Sequence, residues 1–474
     1  MKPHLFFVAF MLLSSSFALS FMRLSFSSDY QTVRVPGDYA TIQQAVNAVS
    51  CGSMILVSSG VYHEHVIVNK SLELIGNDRT STVIDSDDNG TAITVMADNV
   101  VVQGFTLQNS SYLLARGAIH LVESNNCTLS NSILTHNACF GIFLERSNSN
   151  NVSGNLASFN GGSTNGDLPW GGGVGALESN DNLIQGNAIV GSLVDAILLE
   201  NCSNNVVVEN TITDCDFRGI DLWSSHSNRF YLNNILNATV PVNLELSSEN
   251  IWNDGARGNY WDDYVGFDDG SNGRVTGDGV GDTALPHHGV DNFPLVQPVE
   301  PIPILWENKA YPLTLRCNST VSAFRFAQPD KAVTFSVAGP PNSTGYFNLT
   351  VPRILLSGDP WKMIVNGTDV TSQAIIAANQ THTSIYLAYM QSNHNIQLIG
   401  TSVIPEYPAL SIFALVMLFT ILFTFSLKTK KKRSLSSTNL PFGRPTTHFQ
   451  FPLYLGFFHE LGTSTASASF SSSS

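Results

Sequence analysis

From Gly90 to about Leu246 the chain repeats one pattern of roughly two dozen residues, and this periodicity constrains its fold more than any other feature. Ala92–Val95, Ala118–Leu121, Gly141–Leu144, Ala196–Leu199, Gly219–Leu222 and Pro241–Leu244 are variants of a single strand. Their leading Ile or Val positions lie 26, 23, 55, 23 and 22 residues apart, the 55 being two repeats plus an insertion. A unit this short, with alternating strands and no helical stretch, fits a parallel β-helix better than a leucine-rich horseshoe. One coil cannot bury its own apolar face. Coils must therefore stack, about 4.8 Å apart, with like residue over like.

Each unit carries a second strand ending at an Asn-centred turn. Asn131, Asn155, Asn187, Asn210 and Asn233 read as one slot, with Gly104 in that place a unit earlier. Asn tolerates left-handed backbone and its amide can bond the copies above and below, so a side-chain ladder is expected. Ile133, Ile189, Ile212 and Ile235, two residues on, should point inward. Alternation should send Ile142 and Leu144 into the bore and Phe143 and Glu145 outward. An uncapped coil exposes unpaired strand edges. Thr41–Val49 reads as an amphipathic cap helix, with Ile42, Ala45, Val46 and Val49 on one face and Thr41 and Gln44 as a capping-box pair. Irregular strands follow near Met54–Val57, Val66–Val68 and Leu72–Ile75.

The flanks imply export. Residues 1–28 read as a signal peptide: Lys2, the apolar run Leu5–Leu13, then small residues, with cleavage expected between Ser20 and Ser28. Residues 409–427 are uncharged and, at about 1.5 Å per residue, span roughly 28 Å, close to a bilayer's hydrocarbon core. Lys428, Lys430, Lys431, Lys432 and Arg433 follow at once, which puts the 428–474 basic and Ser-rich tail in the cytoplasm and the body outside. Twelve Asn-x-Ser/Thr sequons between Asn69 and Asn379 suit an exported glycoprotein. Outside the cell Cys127–Cys139 or Cys202–Cys215 could close as disulfides, with buried free thiols the alternative. The net charge of −14 argues against a nucleic-acid partner.

The β-helix is expected over 29–297, with the cap helix at 41–49 and an Asp/Gly-rich C-terminal cap at 251–297. A Pro-rich linker, 298–310, leads to a second domain at 311–400, and a short linker, 401–408, to the membrane span. Strand-like runs at Leu313–Leu315, Val333–Val337, Tyr346–Val351, Trp361–Val365, Ser384–Tyr389 and Ile396–Ile399 suggest a small immunoglobulin-like sandwich. The fold class is therefore all-β: a right-handed parallel β-helix, a β-sandwich and one C-terminal transmembrane helix.

After the repeats come Gly258-Asn259-Tyr260-Trp261-Asp262-Asp263-Tyr264, Asp268-Asp269-Gly270 and Gly277-Asp278-Gly279-Val280-Gly281-Asp282. Alternating Asp and Gly put carboxylates on a sharply turning backbone, as a hard cation requires. Asp268, Asp269, Asp278 and Asp282 are the candidate calcium ligands; the competing reading is a loop folded over the last coil with Tyr260 and Trp261 as its plug. Together with Gly60–Gly76, these motifs make residues 30–297 resemble the NosD family of exported β-helix proteins, within the pectin-lyase-like superfamily. Ile404-Pro405-Glu406-Tyr407-Pro408 resembles the anchors of archaeal surface proteins. The NosD resemblance implies a copper-maturation role. Copper takes His, Met and Cys; the chain offers His63, His65, His287 and His288 but no Met-rich tract. No cofactor is required by this reading.

Relatives in that superfamily include polysaccharide lyases, hydrolases and epimerases that work on an exposed sheet face. Here Glu145, Glu178, Glu200 and Glu245 recur after the inward Leu, with Trp223 between the last two, and Trp170 stands in the insertion 161–173. Stacked carboxylates repel unless protonated, paired or bridged. Asp216, Arg218, Asp221 and Asp195 form the sharpest catalytic candidate: acids for proton abstraction and a cation to hold charge. The expected work is binding of extracellular carbohydrate or another envelope polymer. The alternatives are an anchored polysaccharide lyase, hydrolase or epimerase, and a structural envelope component or NosD-like maturation factor.

Overall fold

A computed structural model of the chain describes residues 30–111, 116–162, 171–306 and 309–404. The inward aliphatic positions do align in files. Ile93, Ile119, Ile142, Val174, Ile197, Ile220 and Val242 are successive partners in parallel strands, as are Val95, Leu121, Leu144, Ala176, Leu199, Leu222 and Leu244. Nine parallel strands from Thr32–Val35 to Arg229–Tyr231 form one wall. The others form a fifteen-stranded sheet made of two walls that merge at the long strand Thr211–Trp223. The architecture is a parallel β-helix with its core in the bore.

What turns the corners is a two-residue device. One residue takes left-handed backbone, and the next points a polar side chain inward. Gly154, Gly186, Glu209 and Leu232 have positive φ and precede Asn155, Asn187, Asn210 and Asn233. These amides form the expected ladder: Asn155 donates through its backbone N–H (3.0 Å) and Nδ2 (3.1 Å) to Asn187 Oδ1, and Asn187 does the same to Asn210. Asn131 belongs one step earlier. It is the left-handed residue (φ 47°), as is Gly104, and Ser132 holds the ladder slot by donating to Asn155 Oδ1. Leu134, not Ile133, accordingly pairs with Ala157 and Ile189 in the core file.

Two further ladders occupy other corners. Asn150, Asn182, Asn205, Asn228 and Asn250 repeat the amide pattern. Starting from the Ser124 N–H, the hydroxyls of Ser147, Ser179, Ser225 and Ser247 and the thiol of Cys202 each accept from the backbone N–H of the coil before. This explains why Cys202 is not in a disulfide: its sulfur is a rung. All six cysteines are free, and only Cys51 is exposed.

Both ends are capped. The helix is Ile42–Ala48; Thr41 accepts from the Gln44 N–H, and Ile42, Ala45 and Val46 are buried. The carboxylate of Glu64, rather than the Gln44 side chain, completes the cap by accepting from the N–H groups of Ile42 and Gln43, both at 2.9 Å. At the far end Tyr260–Trp261 pairs with Asn234 and Ile235, and Trp252 stacks on Phe230 at 4.5 Å. Tyr260, Trp261 and Tyr264 are fully buried; Trp261 and Tyr264 join the column's core and close the bore, whereas Tyr260, the other expected plug residue, packs into the core of the second domain.

The second domain is a sandwich of two five-stranded antiparallel sheets. Strands Ile302–Trp306, Thr320–Ala327 and Ile375–Ala378 were not anticipated from sequence. The first of these lies inside the stretch 298–310 read as a linker, so Ile302–Trp306 is sandwich edge rather than free tether; Pro tolerates an edge strand. The sandwich docks directly on the plug: Val321 N–H donates to Val296 O, Ala323 N–H to Asp262 O, and Tyr260 Oη to Val321 O. Among the described residues no helix is long and apolar enough to cross a membrane. The signal peptide, the span at 409–427 and the tail lie outside the described residues.

Two measurements test this construction. Asn187→Ala strands two buried Asn155 donors and should cost about 2–4 kcal/mol, seen as a lower thermal midpoint. Asn131→Gly should change stability by no more than about 0.5 kcal/mol, and equal losses at both sites would count against the ladder. Alkylation of the native chain should label Cys51 alone, and labelling after unfolding should reach all six thiols without reductant.

Candidate functional site

The face outside the sheet from Gly117–Val122 to Thr211–Trp223 carries two outward files. One runs Val122, Glu145, Leu177, Glu200, Trp223, Glu245. Acids in it are therefore never on adjacent coils. Glu178 is not a member: it is the left-handed corner residue (φ 50°), and Leu177 has the slot. Glu145 is neutralised locally. His120 Nε2 lies 3.0 Å from its Oε2, and Arg146 Nη1 donates to its Oε1 at 2.9 Å. Burial works to raise this carboxyl, but the His120 bond and the Arg116 and Arg146 charges prevail and hold it below its ordinary range.

The second file runs His120, Phe143, Gly175, Leu198, Asp221, Asn243. Phe143 faces outward as expected, yet it is buried with Phe140 and Leu198 in a small outer cluster. Gly175 makes room for it: a Cβ there would sit 2.7 Å from Phe143 Cδ2.

Asp195, Arg218 and Asp221 do come together, beside Trp223. Arg218 Nη1 donates to Asp221 Oδ2 at 2.9 Å and lies 3.4 Å from Asp195 Oδ1. Trp223 Nε1 donates to the same Asp221 Oδ2 at 2.9 Å, and Asn243 Nδ2 to Oδ1 at 2.7 Å. The Arg218 guanidinium also lies 4.2 Å from the Phe217 ring centroid. The indole is thereby fixed in one orientation while 40% of Trp223 stays exposed. Burial, then the Asp221 charge, push the Asp195 carboxyl up to about 7 against the pull of Arg218. The arrangement holds a proton on one carboxyl next to a second that is tied to a cation.

Asp216 does not join them. A register shift between Cys215 and Arg218 bulges the strand, and Asp216 stands exposed at the bulge. His226 bonds Ser248 Oγ at a corner. Trp170 lies outside the described residues. A cleft of about 480 Å³ lies elsewhere, between Gly154, Gly186, Glu209 and the segment Val299–Pro303.

The four candidate calcium ligands are spent on their own loop and do not converge. Asp268 accepts from the N–H groups of Gly277 and Gly279, Asp282 from those of Asp269 and Gly270, Asp269 from Ser271, and Asp278 from Val280. A Gly-rich turn leaves its N–H groups without sheet partners, and carboxylates answer them. Among the described residues the converging groups are instead Asp263–His287–His288 and His63–Asp85–Asp87. His65 is not part of the latter; its Nδ1 faces Thr91 O. The two-nitrogen, one-oxygen set at Asp263 suits borderline divalent ions, copper(II) among them, and offers no sulfur for copper(I).

The family described as "Periplasmic copper-binding protein (NosD)" matches residues 46–266. Over that segment the parallel β-helix resembles this family. Over 329 residues the chain is 26% identical to a "Cell surface glycoprotein" of Methanothermus fervidus, an alignment covering 51% of this chain and 54% of the relative. The chain thus spans about half the length of that curated protein. Among solved structures it is similar to an alginate lyase from Paenibacillus sp. (13% identity, 48% of this chain and 89% of the other, TM-score 0.35). It is also similar to ORF18 of Geobacillus virus E2 (12% identity, 80% and 78%, TM-score 0.33). The NosD-like segment contains the whole Asp195–Arg218–Asp221–Trp223 group and ends just after Asp263.

The raised Asp195 carboxyl gives a pH prediction. A carboxyl whose folded pKa exceeds its unfolded value stabilises the fold fully below the unfolded pKa, near 4, and that contribution is lost as pH rises through the folded value of about 7. Asp195→Asn keeps the neutral form, so its thermal midpoint should fall less than that of the natural chain between pH 4 and 7. Parallel curves would show that Asp195 is ionised throughout.

Proposed function

We propose that this chain is an exported cell-surface protein, tethered by the apolar segment 409–427, whose β-helix binds carbohydrate or another envelope polymer. The observation that carries the reading is Trp223: a large ring, held by its Nε1–Asp221 bond and 40% exposed, with Arg218, Asp221 and Glu200 around it. A rigid aromatic with polar groups at its rim loses little entropy on contact and offers both an apolar face and directional bonds to a sugar ring. The surface location is supported by the name of the Methanothermus fervidus relative, by the twelve sequons and by the basic run Lys428–Arg433 after the apolar segment.

One arrangement favours a second reading, a polysaccharide-processing enzyme: the Asp195 carboxyl, pushed up to about 7 chiefly by burial, lies beside the Arg218–Asp221 contact. Paired carboxyls with separated affinities for a proton are what general acid–base chemistry on a glycoside uses. Glycan-array binding of the full chain tests both. Retention of a glycan that Trp223→Ala weakens by more than about tenfold supports the platform, that being the scale of a central aromatic contact. Retention unaffected by Trp223→Ala, or no glycan retained at all, would sink it. Cleaved or epimerised product recovered from the array would favour the enzyme.

A further inference from the structure

The geometry points to a structural site for a divalent transition ion, of the zinc, nickel or copper(II) class, formed by Asp263, His287 and His288 in the C-terminal cap. His287 Nε2 lies 2.9 Å from Asp263 Oδ1, and His288 Nε2 lies 3.0 Å from Asp263 Oδ2. Both imidazoles thus aim the same nitrogen at one carboxylate. Adjacent residues in extended backbone send their side chains to opposite sides. Here His288 takes left-handed backbone (φ 48°), which brings the two ring centroids to 4.1 Å.

The donor atoms already have nearly the spacing an ion demands. Metal–nitrogen and metal–oxygen bonds of about 2.0–2.1 Å at tetrahedral angles separate neighbouring ligands by about 3.3 Å, so each histidine–carboxylate pair needs to open by only a few tenths of an ångström, and the three donor atoms all lie within 4.8 Å of one another. Two imidazoles and one carboxylate are the donor set of borderline divalent ions rather than of calcium or magnesium. The site is reachable: the side chains of Asp263, His287 and His288 are 48%, 14% and 24% exposed, leaving further coordination positions to water.

Its place in the fold gives the ion a task. Asp263 follows the plug residue Trp261, whose ring meets His287 at 5.7 Å and His288 at 5.1 Å. His287 also exchanges backbone bonds with Asp291, the carboxyl that ends the Asn155–Asn259 ladder. A bound ion therefore staples the plug to the returning loop and holds the end of the column shut. This does not depend on Trp223 or on any glycan.

The test uses the full chain, free of any histidine tag and stripped with chelator. Calorimetric titration with Zn(II) should show one tight site, and Zn(II) should raise the thermal midpoint by a few degrees. His287→Gln with His288→Gln, and separately Asp263→Asn, should weaken that site by more than about tenfold while the metal-free midpoint stays near that of the natural chain. Co(II) loaded into the natural chain should give visible absorption distinct from the aqueous ion, a readout that needs no variant. Absence of a stoichiometric site, a Co(II) spectrum matching buffer, or undiminished binding in both variants would each overturn the proposal.

Discussion

The amide relay along the corners is the interaction on which the rest of the molecule depends. A solenoid corner must break the sheet's hydrogen bonding, and in a column it does so at the same height in every coil. Buried N–H groups would be orphaned there at a cost of about 1–3 kcal/mol each. Asn187, Asn210, Asn233 and Asn259 remove that cost by letting each side-chain oxygen take two donors from the coil before, and Asn155 takes one from Ser132. With corners pinned, the strands between them have one register, and the aliphatic files follow. The outer face inherits that register. This is why His120, Glu145, Asp195, Arg218, Asp221 and Trp223, from coils far apart in sequence, can hold fixed separations.

That face is best understood as neighbours conditioning one another. Near its N-terminal side an acid is surrounded by cations and stays charged; near its C-terminal side two buried acids share one arginine, and the carboxyl of Asp195, the more distant from it, is pushed up to about 7. Between them lies the outer cluster of Phe140, Phe143 and Leu198. The polar groups are thus held on a rigid wall with an apolar floor, an arrangement suited to ordering an extended polymer.

Much of this was legible in the sequence because the period was. Inward Ile and Leu positions recur with little noise, the cap helix announces its own face, and Gly-Asn-Tyr-Trp marks the plug. The misreadings were slips of one residue at corners, as with Asn131 for Ser132 and Glu178 for Leu177. A corner pairs a left-handed residue with a ladder residue, and Asn is suited to both, so adjacent polar residues look interchangeable until the strands are paired. The serine ladder left no trace because a serine at a turn is unremarkable. Asp263, His287 and His288 were invisible as a group for a different reason: 24 residues of loop separate them, and only the folded cap sets their distances. The four calcium candidates, Asp268, Asp269, Asp278 and Asp282, stay apart because each answers N–H groups of its own Asp/Gly turn.

Asp291 stands where the amide relay stops. An asparagine there would accept from Asn259 and still present amide hydrogens of its own to whatever lay beyond; a carboxylate accepts from the Asn259 N–H and from Trp261 Nε1 and passes nothing on. The column consequently has a chemical full stop. The relay therefore finishes on a pure acceptor buried beneath the plug, and no donor is left over at the closed end of the column.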